Sequence, residues 1–368
     1  MSTATQAAVV ESAGAPFTIG AVELDALRPD EILVRMVAAG LCHTDLGVAS
    51  GGLPFPLPGV LGHEGAGVVE EVGSGVRSLV PGDQVLLSFT SCGTCAQCRD
   101  GHPAYCDVWL PANLIGGARL DGSSPVQREG ESIGGHFFGQ SSFSRLAVVD
   151  ERSAVRVAPE ADLSLLAPLG CGVQTGVGAV WNVLAPRPGS SVVVLGAGAV
   201  GLSAVMAARL TPATRIIAVD RVAERLELAR ELGATDVVDA GKVDDLTAAL
   251  TDLTGGGADG VVETTGNTGV LRQGVDALRA RGTAVIVGAP PFGIEVGIDV
   301  NAMLPGKRVT GLTLGDAETR TLIPALAQLV ADGRMPLDRL VRRYPFEDIQ
   351  TAVADMVSGA TVKPVLTF

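Results

Sequence analysis

Residues 191–220 constrain the fold of this chain more than any other stretch. They contain a short apolar strand (SVVVL), a G-x-G-x-x-G turn made by Gly196, Gly198 and Gly201, an apolar helix, and a second strand (RIIAV) that ends at Asp220. A strand, a glycine turn, a helix and a second strand in this order predict a βαβ unit, which requires parallel strands with helices covering the sheet.

The rest of the chain divides into segments of different texture. The strand–helix alternation predicts a doubly wound α/β (Rossmann) domain over residues 173–310. Residues 1–172 are rich in glycine, proline and short β-branched runs, which is typical of a turn-rich antiparallel β domain. We expect residues 311–368, with one amphipathic helix and a final VKPVLTF strand, to return to that first domain. The uncharged stretch 188–208 contains glycines that favour a strand, turn and helix over a membrane span.

The glycine turn predicts a dinucleotide site. Its glycines let the backbone approach a pyrophosphate at the helix N-terminus, next to Val200. Asp220 can accept hydrogen bonds from the adenosine ribose and would repel a 2′-phosphate, so the sequence favours NAD over NADP. Arg221 could serve a 2′-phosphate if Asp220 turned away. The alternative is a doubly wound domain that binds no nucleotide.

The charge argues against two classes of partner. The chain has 40 acidic and 27 basic residues, a formal net charge of −13, and no cluster of lysine and arginine. Nucleic-acid and anionic-membrane surfaces need a basic patch, so we expect neither partner. The N-terminus shows no secretory signal, which predicts a cytoplasmic protein whose clustered cysteines bind metal rather than form disulfides.

Four of the six cysteines form one cluster. Cys92, Cys95, Cys98 and Cys106 have C-x2-C-x2-C-x7-C spacing. Four thiolates surround one zinc tetrahedrally and leave no position for a substrate, so this spacing predicts a closed, structural zinc site. A redox pair would need a single C-x-x-C motif, whereas two overlap here. Disulfides would be expected only if the protein were exported. We expect His102, inside the cluster, to be a surface residue rather than a ligand.

The other two cysteines suggest a second zinc site. Cys42 begins the sequence CHTD, His63 and Glu64 lie in GHEGAG, and Cys171 lies in LGCGVQTG. Two thiolates and one imidazole make a three-ligand set, which leaves the fourth zinc position open for water or substrate. Each residue alone would be unremarkable. Two plausible sites that together use all six cysteines favour metal binding.

These motifs resemble those of the zinc-dependent medium-chain alcohol dehydrogenases over essentially the whole chain. GHEGAGVVEEVGSGV matches the zinc signature of that family, and the order of CHTD, GHE, the four-cysteine cluster, the third ligand cysteine and the glycine turn is the same. GGHFFGQSSFS (134–144) and LSFTSCGTC (87–95) look most like the aryl-alcohol (benzyl alcohol) and allylic terpene alcohol branch. The resemblance implies a GroES-like, β-rich catalytic domain and a Rossmann domain.

The resemblance also implies roles for individual residues. Cys42, His63 and Cys171 would hold the catalytic zinc, Glu64 would lie beside it or bind it transiently, and Asp45 would fix the tautomer of His63. Thr44 would link the alcohol to the proton relay. At the cofactor, the implied residues are His43 by the pyrophosphate, Thr175 by the nicotinamide, Val287 and Ala289 with backbone groups for its carboxamide, and Arg225 and Lys363 at the adenosine and pyrophosphate ends. The implied substrate pocket comprises Ser88, Trp109, Phe137 and Phe138.

The expected function is NAD-dependent, reversible oxidation of primary aryl or allylic alcohols to aldehydes. Ser88 takes a place often filled by an aromatic ring, which implies a wide pocket, although the aromatic residues could simply be core. Gly47 stands where many relatives have the histidine that ends the proton relay, so His43 or a water chain would replace it. The alternatives are a broad aliphatic or thiol-adduct (formaldehyde-type) dehydrogenase, or a non-catalytic nucleotide sensor, which a missing zinc ligand would favour. The resemblance suggests a homodimer or homotetramer.

Overall fold

In the computed structural model, which describes residues 2–368, the chain forms two compact units. The first unit comprises residues 2–171 and 318–368, and the second comprises residues 172–317. The predicted return segment at 311 therefore begins later, at Glu318. The reason is steric, because Gly315 packs so closely on Gly178 that a Cβ on Gly178 would lie 2.0 Å from the Gly315 oxygen. Residues up to Ala317 thus stay with the second unit.

The strands follow the predicted change of texture. They are β1 Thr3–Val10, β2 Phe17–Leu24, β3 Glu31–Gly40, β4 Gly59–Val60, β5 Glu64–Val72, β6 Gln84–Leu87, β7 Val126–Arg128, β8 Glu131–Ser132, β9 Leu146–Asp150, β10 Ala154–Arg156, β11 Ser191–Leu195, β12 Arg215–Asp220, β13 Asp236–Asp239, β14 Ala258–Glu263, β15 Leu278–Ile286, β16 Arg308–Gly311, β17 Val341–Pro345 and β18 Lys363–Thr367.

The longer helices lie mainly in the second unit and the C-terminal segment. The α-helices are α1 His43–Ala49, α2 Ala96–Arg99, α3 Leu163–Leu166, α4 Gly172–Gly178, α5 Ala199–Arg209, α6 Ala223–Leu232, α7 Leu246–Thr254, α8 Thr268–Asp276, α9 Val300–Met303, α10 Thr319–Ala331 and α11 Ile349–Ser358. Short 3-10 turns matter at Phe137–Gly139, Ala167–Gly170 and Leu314–Asp316.

The first unit is built on two β-sheets. One has the order β4-β1-β2-β7-β8, and the other has the order β10-β6-β5-β3-β18-β17 with β9 also paired to β3. β3 bonds to β5, β9 and β18, so nine of its ten residues are buried or half-buried, with only Arg35 exposed. The C-terminal strand β18 pairs antiparallel with β3, which brings the chain end back to the first unit as predicted from the VKPVLTF pattern.

The second unit is one parallel sheet with helices around it. Its strand order is β13-β12-β11-β14-β15-β16. The order reverses direction between β11 and β14, and ligands bind at the carboxyl ends of strands where such a reversal occurs. Every residue of β11 is buried, as the apolar run VVVL after Ser191 predicts. The predicted pairing of a β-rich domain with a doubly wound domain is confirmed.

The uncharged stretch 188–208 forms β11, the glycine turn and most of α5. Within residues 2–368, no single helix has the length and apolar character to cross a membrane, although the bent pair Leu163–Gly170 and Gly172–Leu184 meets those two criteria jointly.

Candidate functional site

Three distant segments of the first unit bring one set of metal-ligating side chains together. Cys42 immediately precedes α1, His63 immediately precedes β5, and Cys171 follows the 3-10 turn Ala167–Gly170. The ligand atoms of these three residues and of Glu64 all lie within 4.8 Å of one another. The structure therefore assembles the trio that the sequence predicts and places the Glu64 carboxylate beside it.

The chemistry of this set fits zinc. His63 is fully buried, and its Nε2 finds no hydrogen-bond partner among residues 2–368. A buried nitrogen without a partner is costly unless a ligand completes it, and a metal ion would do so here. Two sulfur atoms and one imidazole nitrogen form a donor set suited to zinc, with one coordination position left open.

Asp45 fixes the orientation of His63. Its buried carboxylate lies 3.0 Å from His63 Nδ1 and accepts hydrogen bonds from the amides of Cys42 at 2.9 Å and Gly62 at 3.1 Å. Because a carboxylate accepts, the proton of the ring lies on Nδ1 and leaves Nε2 for a metal. The contact with His63 that the resemblance implies for Asp45 is therefore present, and Asp45 also joins two ligand segments.

The pKa values of the cysteine and histidine side chains in this set are shifted when no metal is bound. A hydrogen bond from Cys171 lowers the pKa of Cys42 well below its usual range, and the same bond raises the pKa of Cys171 well above it. Burial alone lowers the pKa of His63, but the Asp45 carboxylate and the Cys42 thiolate together more than offset this and raise it to about 10. Metal binding must therefore displace protons from the set.

Lys363 forms a buried ion pair with Glu64. Its buried ammonium donates to both carboxylate oxygens of Glu64, at 2.9 and 2.7 Å, and to the Leu41 carbonyl at 3.1 Å. Burial raises the pKa of Glu64 to about 7, although the charge of Lys363 acts to lower it. Lys363 is thus the counter-ion of Glu64 in this structure, and its contact with a cofactor stays a prediction.

Aromatic rings pack around His63. Phe138 stacks on the His63 ring at a centroid distance of 4.5 Å, and Phe137 meets it edge-on at 5.3 Å. Trp109 packs edge-on against Phe138 at 5.7 Å, and Phe55 packs edge-on against Phe137 at 5.1 Å. Phe55 was not predicted as a site residue, and its only signal in the sequence is an aromatic residue inside the proline-rich PFPLPG loop.

Two of the predicted pocket residues have other contacts. Phe137 has no exposed surface and packs edge-on against the His63 ring, and its contact with a substrate stays a prediction. The buried Ser88 hydroxyl donates to the Gly170 carbonyl at 2.6 Å, next to the ligand Cys171. Ser88 therefore holds the backbone of a ligand segment, besides leaving the space of the aromatic ring that it replaces.

The four-cysteine cluster forms a separate set in the first unit. The sulfur atoms of Cys92, Cys95, Cys98 and Cys106 lie within 4.8 Å of one another, and two of the separations are 4.0 Å. A zinc tetrahedron with Zn–S bonds of about 2.3 Å has S–S edges of about 3.8 Å, so the set fits a closed zinc site. All four cysteines are free of disulfides. His102 is not among these ligands, as predicted.

The cysteines of this cluster differ in acidity. Hydrogen bonds from the backbone amide and hydroxyl of Thr94 and from the Cys95 amide lower the pKa of Cys92 to about 6. Burial raises the pKa of Cys106 to about 12. N–H···S bonds stabilise a thiolate, so Cys92 is the cysteine of this cluster most readily ionised for metal binding.

In the second unit, glycine is required at the predicted turn. Gly196 has φ of +95°, and a Cβ on Gly201 would lie 1.8 Å from the Gly196 oxygen. Gly198 caps α5, and Val200 lies in the first turn of that helix. The Asp220 carboxylate accepts a hydrogen bond from the Ala197 amide at 2.7 Å, which ties the end of β12 to the turn. The turn has the close-packed form that dinucleotide sites need.

The remaining predicted cofactor residues lie as follows. His43 begins α1 in the first unit, and in the second unit Thr175 lies on α4, Arg221 is exposed after β12, Arg225 lies on α6, and Val287 and Ala289 follow β15. The Val287 amide donates to the Glu263 carbonyl at 2.8 Å, so that amide is already engaged. The Nε of Arg225 is buried without a hydrogen-bond partner in the described part of the chain. Their contacts with a cofactor stay predictions.

Glu263 supports the glycine turn and was not predicted from the sequence. It ends β14, is buried, and accepts hydrogen bonds from the amides of Thr265 at 2.6 Å and Gly266 at 3.1 Å. The hydroxyl of the adjacent Thr264 donates to the backbone carbonyl of Leu195 at 2.8 Å and lies 3.2 Å from that of Gly196. This loop therefore supports the glycine turn. An acidic residue that ends a buried strand, like Asp220, was the available signal.

Comparison with known proteins gives consistent matches. Residues 28–159 match the alcohol dehydrogenase GroES-like domain family, and residues 199–330 match the zinc-binding dehydrogenase family. The chain is 43% identical over 365 residues to geraniol dehydrogenase from Castellaniella defragrans, covering 99% of this chain and 97% of that protein. It is 37% identical to S-(hydroxymethyl)glutathione dehydrogenase from Synechocystis sp., covering 99% and 100%. The crystal structure of benzyl alcohol dehydrogenase from Acinetobacter calcoaceticus superposes with a TM-score of 0.95 at 43% identity, covering 100% and 99%.

The two ligand sets predict two zinc ions per chain, one for each set. We expect Cys42→Ser to lose one zinc and all turnover while the chain stays folded, since an alcohol would have no metal to bind. Cys95→Ser should lose the other zinc and mainly lower stability. Metal analysis by mass spectrometry, with circular dichroism for folding, measures both. Wild-type protein with one zinc or none would contradict the assignment.

The pKa difference within the four-cysteine cluster predicts selective alkylation after zinc removal. At pH 7, Cys92 is a thiolate and Cys106 a thiol, so iodoacetamide should modify Cys92 at least about a hundredfold faster. The Cys92 rate should level off above pH 6 and fall about tenfold per pH unit below it, because protonation removes the nucleophile. Mass spectrometry of peptides measures the rates, and zinc-loaded protein is the control. Equal rates for the two cysteines would exclude this difference.

Proposed function

Because the chain belongs to the zinc-binding medium-chain alcohol dehydrogenase family, we propose that it reversibly oxidises primary aryl or allylic alcohols to aldehydes with NAD as hydride acceptor. The predicted family and fold, a GroES-like domain with a Rossmann domain, are confirmed by these matches. Zinc and a nicotinamide dinucleotide are its cofactors. The substrate class and the preference for NAD over NADP are our proposals.

The observation that carries the substrate class is the aromatic cluster at His63. Phe138 stacks on the imidazole that would hold zinc, and Trp109 packs against Phe138. A flat, conjugated group next to the alcohol carbon can pack on such rings, which favours benzyl-, cinnamyl- or geranyl-type alcohols over ethanol. The similarity to a geraniol dehydrogenase and a benzyl alcohol dehydrogenase supports the same class.

In the mechanism, Cys42, His63 and Cys171 would hold the zinc. When bound, zinc supplies a Lewis acid that makes an alcohol hydroxyl more acidic, and NAD supplies the hydride acceptor. Thr44 lies directly after this ligand segment, with its hydroxyl 3.8 Å from the Cys42 sulfur. We assign it the first step of proton removal. Gly47 carries no proton acceptor, so the relay continues through His43 or through water and the cofactor ribose.

Asp220 supports the choice of NAD. Its carboxylate accepts hydrogen bonds from the amides of Ala197 at 2.7 Å, Arg221 at 2.7 Å and Val222 at 3.0 Å, which hold the charge at the end of β12. A negative charge fixed there accepts ribose hydroxyls and repels a 2′-phosphate. The side chain of Arg221 is exposed and would have to compete with that charge.

The second candidate is the thiol-adduct reaction, which the 37% identity to an S-(hydroxymethyl)glutathione dehydrogenase favours. A glutathione adduct carries two carboxylates and needs cationic partners in its site. The cation that the structure places beside the metal set is Lys363, and it is paired with Glu64. Lys363 is therefore not available to pair with a carboxylate of the adduct, and together with the aromatic packing at His63 this favours uncharged alcohols.

We also propose a homodimer or homotetramer in the cytoplasm. Four large apolar side chains within residues 292–304 of the second unit are exposed, namely Phe292, Ile294, Val300 and Leu304. They precede β16, the terminal strand of its sheet. Exposed apolar side chains beside a terminal strand favour burial against a second copy of the chain.

Steady-state kinetics on a panel of alcohols tests the substrate class. We expect kcat/KM for benzyl alcohol, cinnamyl alcohol and geraniol to exceed that for ethanol by about a hundredfold. Burying an aromatic or allylic group contributes roughly 2–3 kcal/mol. S-(hydroxymethyl)glutathione serves as the competing substrate. A higher kcat/KM for that adduct than for benzyl alcohol would favour the second candidate.

Asp220→Ala tests the cofactor preference. Removing the carboxylate should reduce the ratio of kcat/KM for NAD over NADP by at least about tenfold, because the repulsion of the 2′-phosphate and the ribose hydrogen bonds are lost. Asp239→Ala, at the end of the neighbouring strand β13, is the matched control and should leave the ratio unchanged. An unchanged ratio in Asp220→Ala would refute the role of Asp220.

A further inference from the structure

The turn His136–Ser141 carries a buried amide that the mechanism above does not use. Phe138 and Ser141 have left-handed φ values of 53° and 49°, and Gly139 has φ of 70°. Such backbone is rare for side-chain-bearing residues and persists only where the surroundings hold it. The turn directs the Phe138 ring onto His63, as described above, and it also brings in the side chain of Gln140, which is 1% exposed.

Gln140 makes three hydrogen bonds to the backbone of the first unit. Its Nε2 donates to the carbonyl of His63 at 2.9 Å and to the carbonyl of Ser88 at 2.7 Å. Its Oε1 accepts from the amide of Gly65 at 3.0 Å. One side chain therefore bonds the backbone on both sides of Glu64, directly after the ligand His63, and connects this segment to Ser88, the residue that follows β6.

Ser88 extends this connection to the third ligand. Its hydroxyl donates to the carbonyl of Gly170 at 2.6 Å, and Gly170 directly precedes Cys171. The approach is too close for a side chain, since a Cβ on Gly170 would lie 2.0 Å from the Leu87 oxygen. The position of the Cys171 segment is thus set against the end of β6.

We propose that Gln140 is a positioning residue for the catalytic zinc site, acting with Ser88 to hold the His63 and Cys171 segments in register. Asp45 already joins the Cys42 and His63 segments through its carboxylate. With the Gln140–Ser88 connection, all three ligand segments are joined by hydrogen bonds that are buried or, at Cys42, part-buried. The assignment depends on the zinc site and not on the alcohol that the enzyme prefers.

The energetic basis is the cost of unsatisfied buried groups. Without the amide of Gln140, the carbonyls of His63 and Ser88 and the amide of Gly65 each lose a buried partner, and each unsatisfied buried group destabilises this backbone arrangement. The backbone then relaxes to recover hydrogen bonds, and the ligands move with it. Residues that orient metal ligands in this way change metal affinity by about 10- to 100-fold when they are replaced.

Two variants separate the donor from the acceptor function. Gln140→Met keeps the approximate volume and removes all three hydrogen bonds. Gln140→Glu, when ionised, can still accept from Gly65 but cannot donate to the carbonyls of His63 and Ser88. We expect both to lose zinc from the Cys42 set, because the donor function holds the ligand segments. Ser88→Ala is a milder variant that removes only the link to Gly170.

Two controls lie close by. Ser142→Ala, two residues after Gln140, removes a buried hydroxyl that has no hydrogen-bond partner among the described residues, so it should behave as wild type. Asn113→Leu removes another buried amide, which bonds Thr90 at 2.8 and 2.9 Å and Trp109 at 2.8 Å. Those two residues flank the four-cysteine cluster, so Asn113→Leu should weaken the structural zinc instead.

The test measures zinc retention at both sites of the holoenzyme against a competing chelator, together with the absorption spectrum of the cobalt-substituted protein and its melting temperature. We expect the two Gln140 variants to bind the catalytic zinc about 10- to 100-fold more weakly, with an altered cobalt spectrum and the structural zinc retained. Ser88→Ala should show the same change to a smaller extent and covers the case in which a Gln140 variant does not fold. Wild-type zinc affinity in the Gln140 and Ser88 variants would overturn the proposal, and so would equal loss of the catalytic zinc in Asn113→Leu.

Discussion

The hydrogen bond between His63 Nδ1 and the buried carboxylate of Asp45 is the interaction on which the candidate zinc site depends. It places the ring proton on Nδ1 and leaves Nε2 facing the two ligand sulfur atoms. The same carboxylate accepts the Cys42 amide, so the ligand at the start of α1 and the ligand before β5 are fixed together. A buried carboxylate is stable only with such partners, which makes the constraint mutual.

Carboxylates perform a similar task in the second unit. Asp220 accepts the Ala197 amide within the glycine turn, and Glu263 accepts the amides of Thr265 and Gly266 beside that turn. In both units, an acidic side chain at the end of a buried strand or the start of a helix binds backbone amides and so fixes a ligand-binding backbone. Such charge-assisted bonds are about twice as strong as neutral ones, which suits them to loops that must not move.

The two cysteine sets differ in how far the sequence could predict them. The four-cysteine cluster closes within residues 92–106, where N–H···S bonds such as Cys95 to Cys92 at 3.3 Å form locally, and its spacing alone predicted its geometry. Cys42, His63 and Cys171 come from three segments, so their sequence indicated the ligand types but not how they are held. The structure also gives Lys363 and Ser88 contacts that were not predicted, since their partners Glu64 and Gly170 are distant in sequence.

The sequence by itself determined the fold of each unit, the ligand types and the glycine turn, because these follow from periodicity, spacing and steric rules that act over a few residues. Gly201 is such a case, since its missing Cβ is required within its own turn. Only the tertiary structure decided that Phe137 is enclosed, that Lys363 neutralises Glu64 and that Gln140 clamps His63. Those contacts join residues separated by 77 positions for Gln140 and His63 and by 299 for Lys363 and Glu64. These partners follow from strand pairing and from the need to satisfy every buried polar group, and no local sequence pattern predicts them.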